Sequence, residues 1–246
     1  MAYRWDEDSP WLYREWFHEP APAADFGIVD AAESHITSSA LERHPFFAVA
    51  ADSADALRLW VSQELVMTGP FSQIVLRAAS LFDNVHLRAM VMEVARGEHG
   101  SVRGRKAPVA HPWLLHQLRA SMGIDERDVY PFAETEEFLE GLSSDCNDPL
   151  TALAAIGVGN ERLIEPEYSA IKNCFARCCP AATYKPFLDA NLNEDAAHAR
   201  LCYEVASLLV RNVADAESFI TAAKRSVERR LRYFDRLYER AASGSS

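Results

Sequence analysis

Apolar residues return every three or four positions along nearly the whole chain, and that single pattern is what most restricts its fold. Leu57, Trp60, Val61 and Leu65 show it, as do Leu87, Met90, Val91 and Val94, and again Leu114, Leu115 and Leu118. Such spacing builds one apolar face on a helix and scatters side chains over both faces of a strand. Strands would also need turns. No Asn-Gly pair separates alternating apolar runs, and Gly and Pro number only 10 and 12 in 246 residues, too few to punctuate a sheet protein. The chain is therefore expected to be all-α, a bundle of seven to nine helices around one core, forming a single domain over 1–246 with an irregular lead of about 40 residues.

The boundaries follow from caps and breakers. Asp52 or Ser53 caps one helix, Pro70 begins the next, and Asp83 or Asn84 starts a third that the glycines of GEHG end. Residues 97–109 read as a loop, after which His111-Pro112 opens a helix that Gly123 closes. A short helix is expected over 134–142. Asp148-Pro149 starts a long one reaching Cys178-Cys179-Pro180, bent near Gly157, Gly159 and Pro166, and two more follow near 184–211 and 214–242.

Charge narrows the partners. At a formal net charge of −11 the chain repels phosphate backbones and anionic lipid, so a small molecule is the expected partner, with neither nucleic acid nor membrane. No apolar run approaches the eighteen or so residues a spanning helix needs, and the acidic, aromatic segment MAYRWDEDSPWLYREWFHEP is unlike a signal peptide; a cytoplasmic protein is expected. The five cysteines, odd in number, read as reduced thiols. Cys174, Cys178 and Cys179 are expected to be packed thiols, and GVGNE, with no strand before it, is not a dinucleotide fingerprint. His44 and His116 are taken as helix-start and helix-face residues, and the arginines of KRSVERRLRYFDRLYER as a solvated face or the rim of a homodimer.

Chemistry belongs where ionisable groups interrupt an apolar stripe. In PFLDANLNEDAAHARLCYEVASLL, Asp195 and His198 are three apart and share a helical face with Asn191, and the stripe continues through Ala199, Cys202 and Ala206. A buried carboxylate and imidazole need a partner, and a metal ion satisfies both; a surface pair or a mutual hydrogen bond is the plainer alternative. Glu93, after the apolar run AMVM, and Glu161, in AAIGVGNERLIEPEY, offer carboxylates from other helices.

MEVARGEHG followed by HPWLLHQLRASMG, then AAIGVGNERLIEPEYSAI, then PFLDANLNEDAAHA, occur in the order and form of the metal helices of the haem-oxygenase-like diiron oxidases and oxygenases, and over residues 40–210 the chain resembles that family. The resemblance implies a haem-oxygenase-like bundle holding two Fe(II) ions per chain, with O₂ as co-substrate. Position by position it implies Glu93, His111, Glu161, Asp195 and His198 as ligands. Glu161 would bridge, Glu93 and His111 would serve one iron, and Asp195 and His198 the other. Tyr168, seven residues after Glu161, is expected beside the ligands.

The activities implied are N-oxygenation, desaturation or oxidative C–C cleavage of an amino-acid-, amine- or fatty-acid-like substrate, in natural-product biosynthesis. One position departs from the pattern. Asn191 stands where the family usually has a histidine, and its amide oxygen is a weaker ligand for Fe(II) than imidazole, so one iron is expected to be labile. His99 is the nearest spare imidazole. Two other readings remain open: a metal-free relative, either a cofactorless oxidase or a thiaminase-like hydrolase, and a helical interaction module without a site.

Overall fold

The computed structural model describes residues 26–99 and 110–243, and among these the backbone is mostly helical, with no strand. The helices are α1 (Ile28–Ser39), α2 (Pro45–Ala50), α3 (Ala54–Ser80), α4 (Val85–His99), α5 (His111–Ser121), α6 (Ala133–Asp145), α7 (Pro149–Leu153), α8 (Arg162–Cys178), α9 (Lys185–Leu209) and α10 (Val213–Ser243). A π-helical stretch, Ala154–Glu161, joins α7 to α8 without a break. No helix among the described residues is long and apolar enough to cross a membrane.

Several starts are built as expected. Ser53 caps α3, its hydroxyl accepting from the Ala56 amide; Asp148 caps α7 by accepting from Leu150 and Thr151, with Pro149 in the first turn. His44 caps α2 through its ring, which accepts from the Phe46 amide.

Three boundaries differ. Residues 28–39, expected to be irregular, form α1, because Ile28, Ala32 and Ile36 repeat every four residues and bury one face, packed on α10. Pro70 does not begin a helix but lies inside α3, on an exposed face where the Val66 carbonyl that loses its partner can meet water. The loop expected over 97–109 begins later, since α4 runs to His99; positions 100–109 lie outside the described residues.

Two long helices organise the core. The amphipathic α10 packs on the π stretch, α6, α1, α2 and α7, while α9 packs on the π stretch, α8, α4 and α5. The π stretch is thus held between them, and its glycines make the fit possible. A Cβ on Gly157 would collide with the Cys202 side chain of α9, and one on Gly159 with Ser226 of α10. The wider π turn ends at Glu161 and delivers that carboxylate to the centre of the bundle.

Candidate metal centre

The π stretch and α9 meet at a cluster of buried ionisable groups. The π stretch brings Glu161, and α9 brings Asp195 and His198, all three buried, with one ligand atom from each lying within 4.8 Å of the others. His198 Nδ1 is 3.2 Å from Glu161 Oε2 and 3.5 Å from Asp195 Oδ1. Asp195 Oδ2 is buried and has no hydrogen-bond partner.

A buried oxygen of this kind costs stability unless something charged or donating meets it, and two carboxylates against one imidazole leave an excess of negative charge. Burial and the nearby Glu161 charge accordingly push the Asp195 carboxyl well above the usual carboxylate range, although His198 and His111 pull it part of the way back. For His198 burial disfavours the charged ring, but hydrogen bonds and charge from Asp195 and Glu161 outweigh it and raise the imidazole to about 10. Protons balance this cluster in the absence of a cation. A divalent metal fits the same donor set, two carboxylates and an imidazole, and would give Asp195 Oδ2 its missing partner.

Beside this triad lies a second pair. His111, the first residue of α5 and almost wholly buried, has Nδ1 at 3.1 Å from Glu98 Oε1 and Nε2 at 3.5 Å from Glu194 Oε2. Burial works against its protonation, yet the Glu98 hydrogen bond and the charges of Glu98, Asp195 and Glu194 leave its pKa raised. Glu98 Oε2 is another buried oxygen without a partner. Asn191 lies at the margin of both groups; its Nδ2 donates to the Phe187 carbonyl one turn back, at 2.7 Å, which leaves the amide oxygen as its remaining polar atom.

Glu161, Asp195, His198, His111 and Asn191 are all buried and gathered in this region. Glu93 is not with them. Its side chain is 43% exposed and its carboxylate pairs with Arg96, 3.0 Å away in the next turn. Glu98, five residues later and so about 140° around the helix, is the α4 carboxylate that faces the site. Reading GEHG as the end of the helix concealed it, for α4 continues through both residues. His99 points elsewhere, with Nδ1 donating to its own helix at the Ala95 carbonyl. Tyr168 is buried, but its hydroxyl donates to Glu64 Oε2 at 2.9 Å and not to a carboxylate of the triad.

Comparison with known proteins agrees with this architecture. A sequence model of the family described as iron-containing redox enzymes matches residues 58–231. No curated protein sequence matches. Among solved structures, a domain of unknown function with a haem oxygenase-like fold from Shewanella denitrificans OS217 superposes with a TM-score of 0.71 at 18% identity, covering 91% of this chain and 96% of that one. A CADD-like protein of unknown function from Nostoc punctiforme PCC 73102 gives 0.72 at 14% identity, covering 88% and 99%. A TenA homologue from Pseudomonas syringae pv. tomato DC3000 gives 0.70 at 12% identity, covering 89% and 94%. The fold is haem-oxygenase-like, as the resemblance implied.

Proposed function

We propose that this chain, which belongs to the iron-containing redox enzyme family, holds iron at Glu161, Asp195 and His198 and uses it to oxidise a small organic substrate with O₂. The observation that carries the proposal is the buried triad whose Asp195 Oδ2 lacks any partner. A second iron would use His111 and Glu98, with Asn191 where an imidazole would bind more tightly, and this is the labile position. An amine, an amino acid or a fatty acid is the substrate class in keeping with the family resemblance.

Bound iron would supply the electrons and open coordination positions through which O₂ is activated. The chain's own part is positioning and exclusion of water. The π turn fixes Glu161, one α9 face carries Asn191, Asp195 and His198 in register, and the contact of His111 with Glu98 sets which ring nitrogen is left for a ligand role. Phe187, Leu188, Ala199 and Cys202, all buried on α9, keep the surroundings apolar.

The metal-free reading draws support from Asn191 and from the contacts that His198 makes to both acids without a cation. A hydrolase on this scaffold would need a nucleophile, and Cys202, wholly buried with its thiol pushed far up by burial, is a poor one. Fe(II) titration without oxygen separates the two readings. The parent is expected to take up iron, Asp195→Ala to lose the tight site, and Asn191→His to tighten the weaker one; a parent that takes up no iron would remove the proposal.

A further inference from the structure

A second buried polar cluster lies next to the metal centre and is not used in holding it. Arg230 of α10 donates from Nε to Glu167 Oε2 at 2.9 Å and from Nη2 to Glu167 Oε1 at 2.7 Å, and Nη2 also reaches Glu64 Oε1 at 3.3 Å. Trp60 Nε1 donates to Glu167 Oε1, and the hydroxyls of Tyr233 and Tyr168 donate to the two oxygens of Glu64. None of these six residues is more than 3% exposed.

The charges do not balance, since two carboxylates face one guanidinium among aromatic walls formed by Phe138, Tyr233 and Phe234. A purely structural ion pair would need one acid. A second acid, buried at that depth, is most cheaply kept by a proton.

A cavity of about 30 Å³, room for one or two waters, opens beside the cluster. Glu64, Tyr168 and Arg230 line it together with Glu98, Asn160 and Asn191. It therefore joins the acid cluster to the groups assigned above to the weaker iron position. We propose that Glu64, Glu167 and Arg230 store one exchangeable proton, and that Tyr168 passes it through this cavity towards Glu98 and Asn191.

The step balances as a proton transfer alone. With the proton on Glu64 Oε2, that acid donates to the Tyr168 oxygen and the phenol turns its own O–H into the cavity. When Tyr168 gives its proton to a cavity water it takes the one on Glu64, leaving a carboxylate that solvent later reprotonates. The acceptor is oxygen reduced at the metal centre, and to that extent the relay rests on the function proposed above. Every facing charge fits the assignment. Burial raises Glu64 and takes Glu167 to about 7, with Arg230 pulling both down less than burial lifts them. Tyr168 and Tyr233 are raised by burial and so remain protonated. Among the described residues α4 puts Glu98 on the cavity, α9 the uncharged Asn191 and Phe187, and α6 the apolar Phe138 and Leu139.

Infrared spectroscopy of the protein without iron tests the store directly. The parent should show the C=O stretch of a buried carboxylic acid, sensitive to D₂O exchange and half lost near the pH of about 7 that Glu167 reaches. In an Asp195→Asn background, which removes the other buried carboxyl that burial raises, Glu64→Gln and Glu167→Gln, which keep shape, should each abolish it, because the remaining acid then forms a balanced pair with Arg230. A parent without that band near neutrality overturns the store.

Stopped-flow mixing of the Fe(II)-loaded protein with O₂ tests the relay. Tyr168→Phe should bind the same iron and keep the infrared band, yet its iron should be oxidised about 100-fold more slowly, the range expected for removal of a positioned proton donor. A parental rate and parental pH profile in Tyr168→Phe would overturn the relay. Failure of the parent to bind iron would instead sink the proposed function and the destination of the relay, while the infrared band still decides whether the proton store exists.

Discussion

Replacing Arg230 with methionine keeps most of the side-chain volume and removes the one cation between Glu64 and Glu167. In the parent this guanidinium makes three hydrogen bonds to the two carboxylates and sits 5.1 Å from the centre of the Phe138 ring. Breaking a buried ion pair from one side typically costs about 3–5 kcal/mol, because the partner charge stays buried and unmatched. For a chain of this size each kcal/mol moves the melting temperature by roughly 2–4 °C, so Arg230→Met should melt about 6–20 °C below the parent.

The loss should depend on pH with a definite sign. Glu64 and Glu167 already titrate above their unfolded values, and without Arg230 they rise further, so the folded variant binds more protons than the unfolded chain. Its stability must therefore fall as pH rises above the unfolded carboxylate range, and the gap between variant and parent should widen from pH 5 to pH 8. Thermal melts followed by circular dichroism across that range measure it. A variant that melts within 2 °C of the parent at pH 8, or a gap that narrows as pH rises, would refute the account of the cluster.

Glu98→Ala should weaken the second Fe(II) equivalent by roughly ten-fold or more, while Glu93→Ala, which touches only the exposed Arg96 contact, should leave an anaerobic Fe(II) titration unchanged. Gly157→Ala should cost about 1–3 kcal/mol in a denaturant melt, since the added methyl meets the Cys202 side chain of α9 inside a packed core. Metal affinity should climb from pH 6 to pH 8, with protons released on binding, because His198 at about 10 is charged in the empty site and must become neutral to serve as a ligand; calorimetry in buffers of different ionisation enthalpy counts those protons, and zero release would contradict the prediction.

The α9 face was legible because its period is local. Asn191, Asp195 and His198 fall on one stripe that continues into Ala199 and Cys202, and helix geometry alone brings them together. Glu161 was marked by the small residues around it, although nothing in the spacing announced that the turn there is π. Glu98 was missed because Gly97 resembled a terminator, whereas packing against α3, α5 and α9 carries α4 past it.

Arg230 was hidden in a run of mixed charge, yet Ala223, Val227, Phe234 and Leu237 share its spacing and are buried, a stripe that placed the arginine inward. Its partners could not be read at all. Glu167 lies 63 residues away and Glu64 166, distances over which only the folded chain sets contact.

The π stretch between α7 and α8 makes the site sensitive to chain length in a way that single substitutions do not reveal. A π turn accommodates about one residue more than the α turn it replaces, so deleting one residue from Ala154–Glu161 would let the backbone relax into ordinary helix with α7 and α8 left near their seats, while side chains inside the stretch shift by one position, about 100° around the helix. Gly157 and Gly159 would then no longer both meet Cys202 and Ser226, and the wide turn that presents Glu161 to Asp195 and His198 would be gone. Surface loops elsewhere in the chain can drift in length, but these eight residues work as a fixed spacer. A relative one residue shorter here would have to have surrendered the carboxylate or found another way to present it.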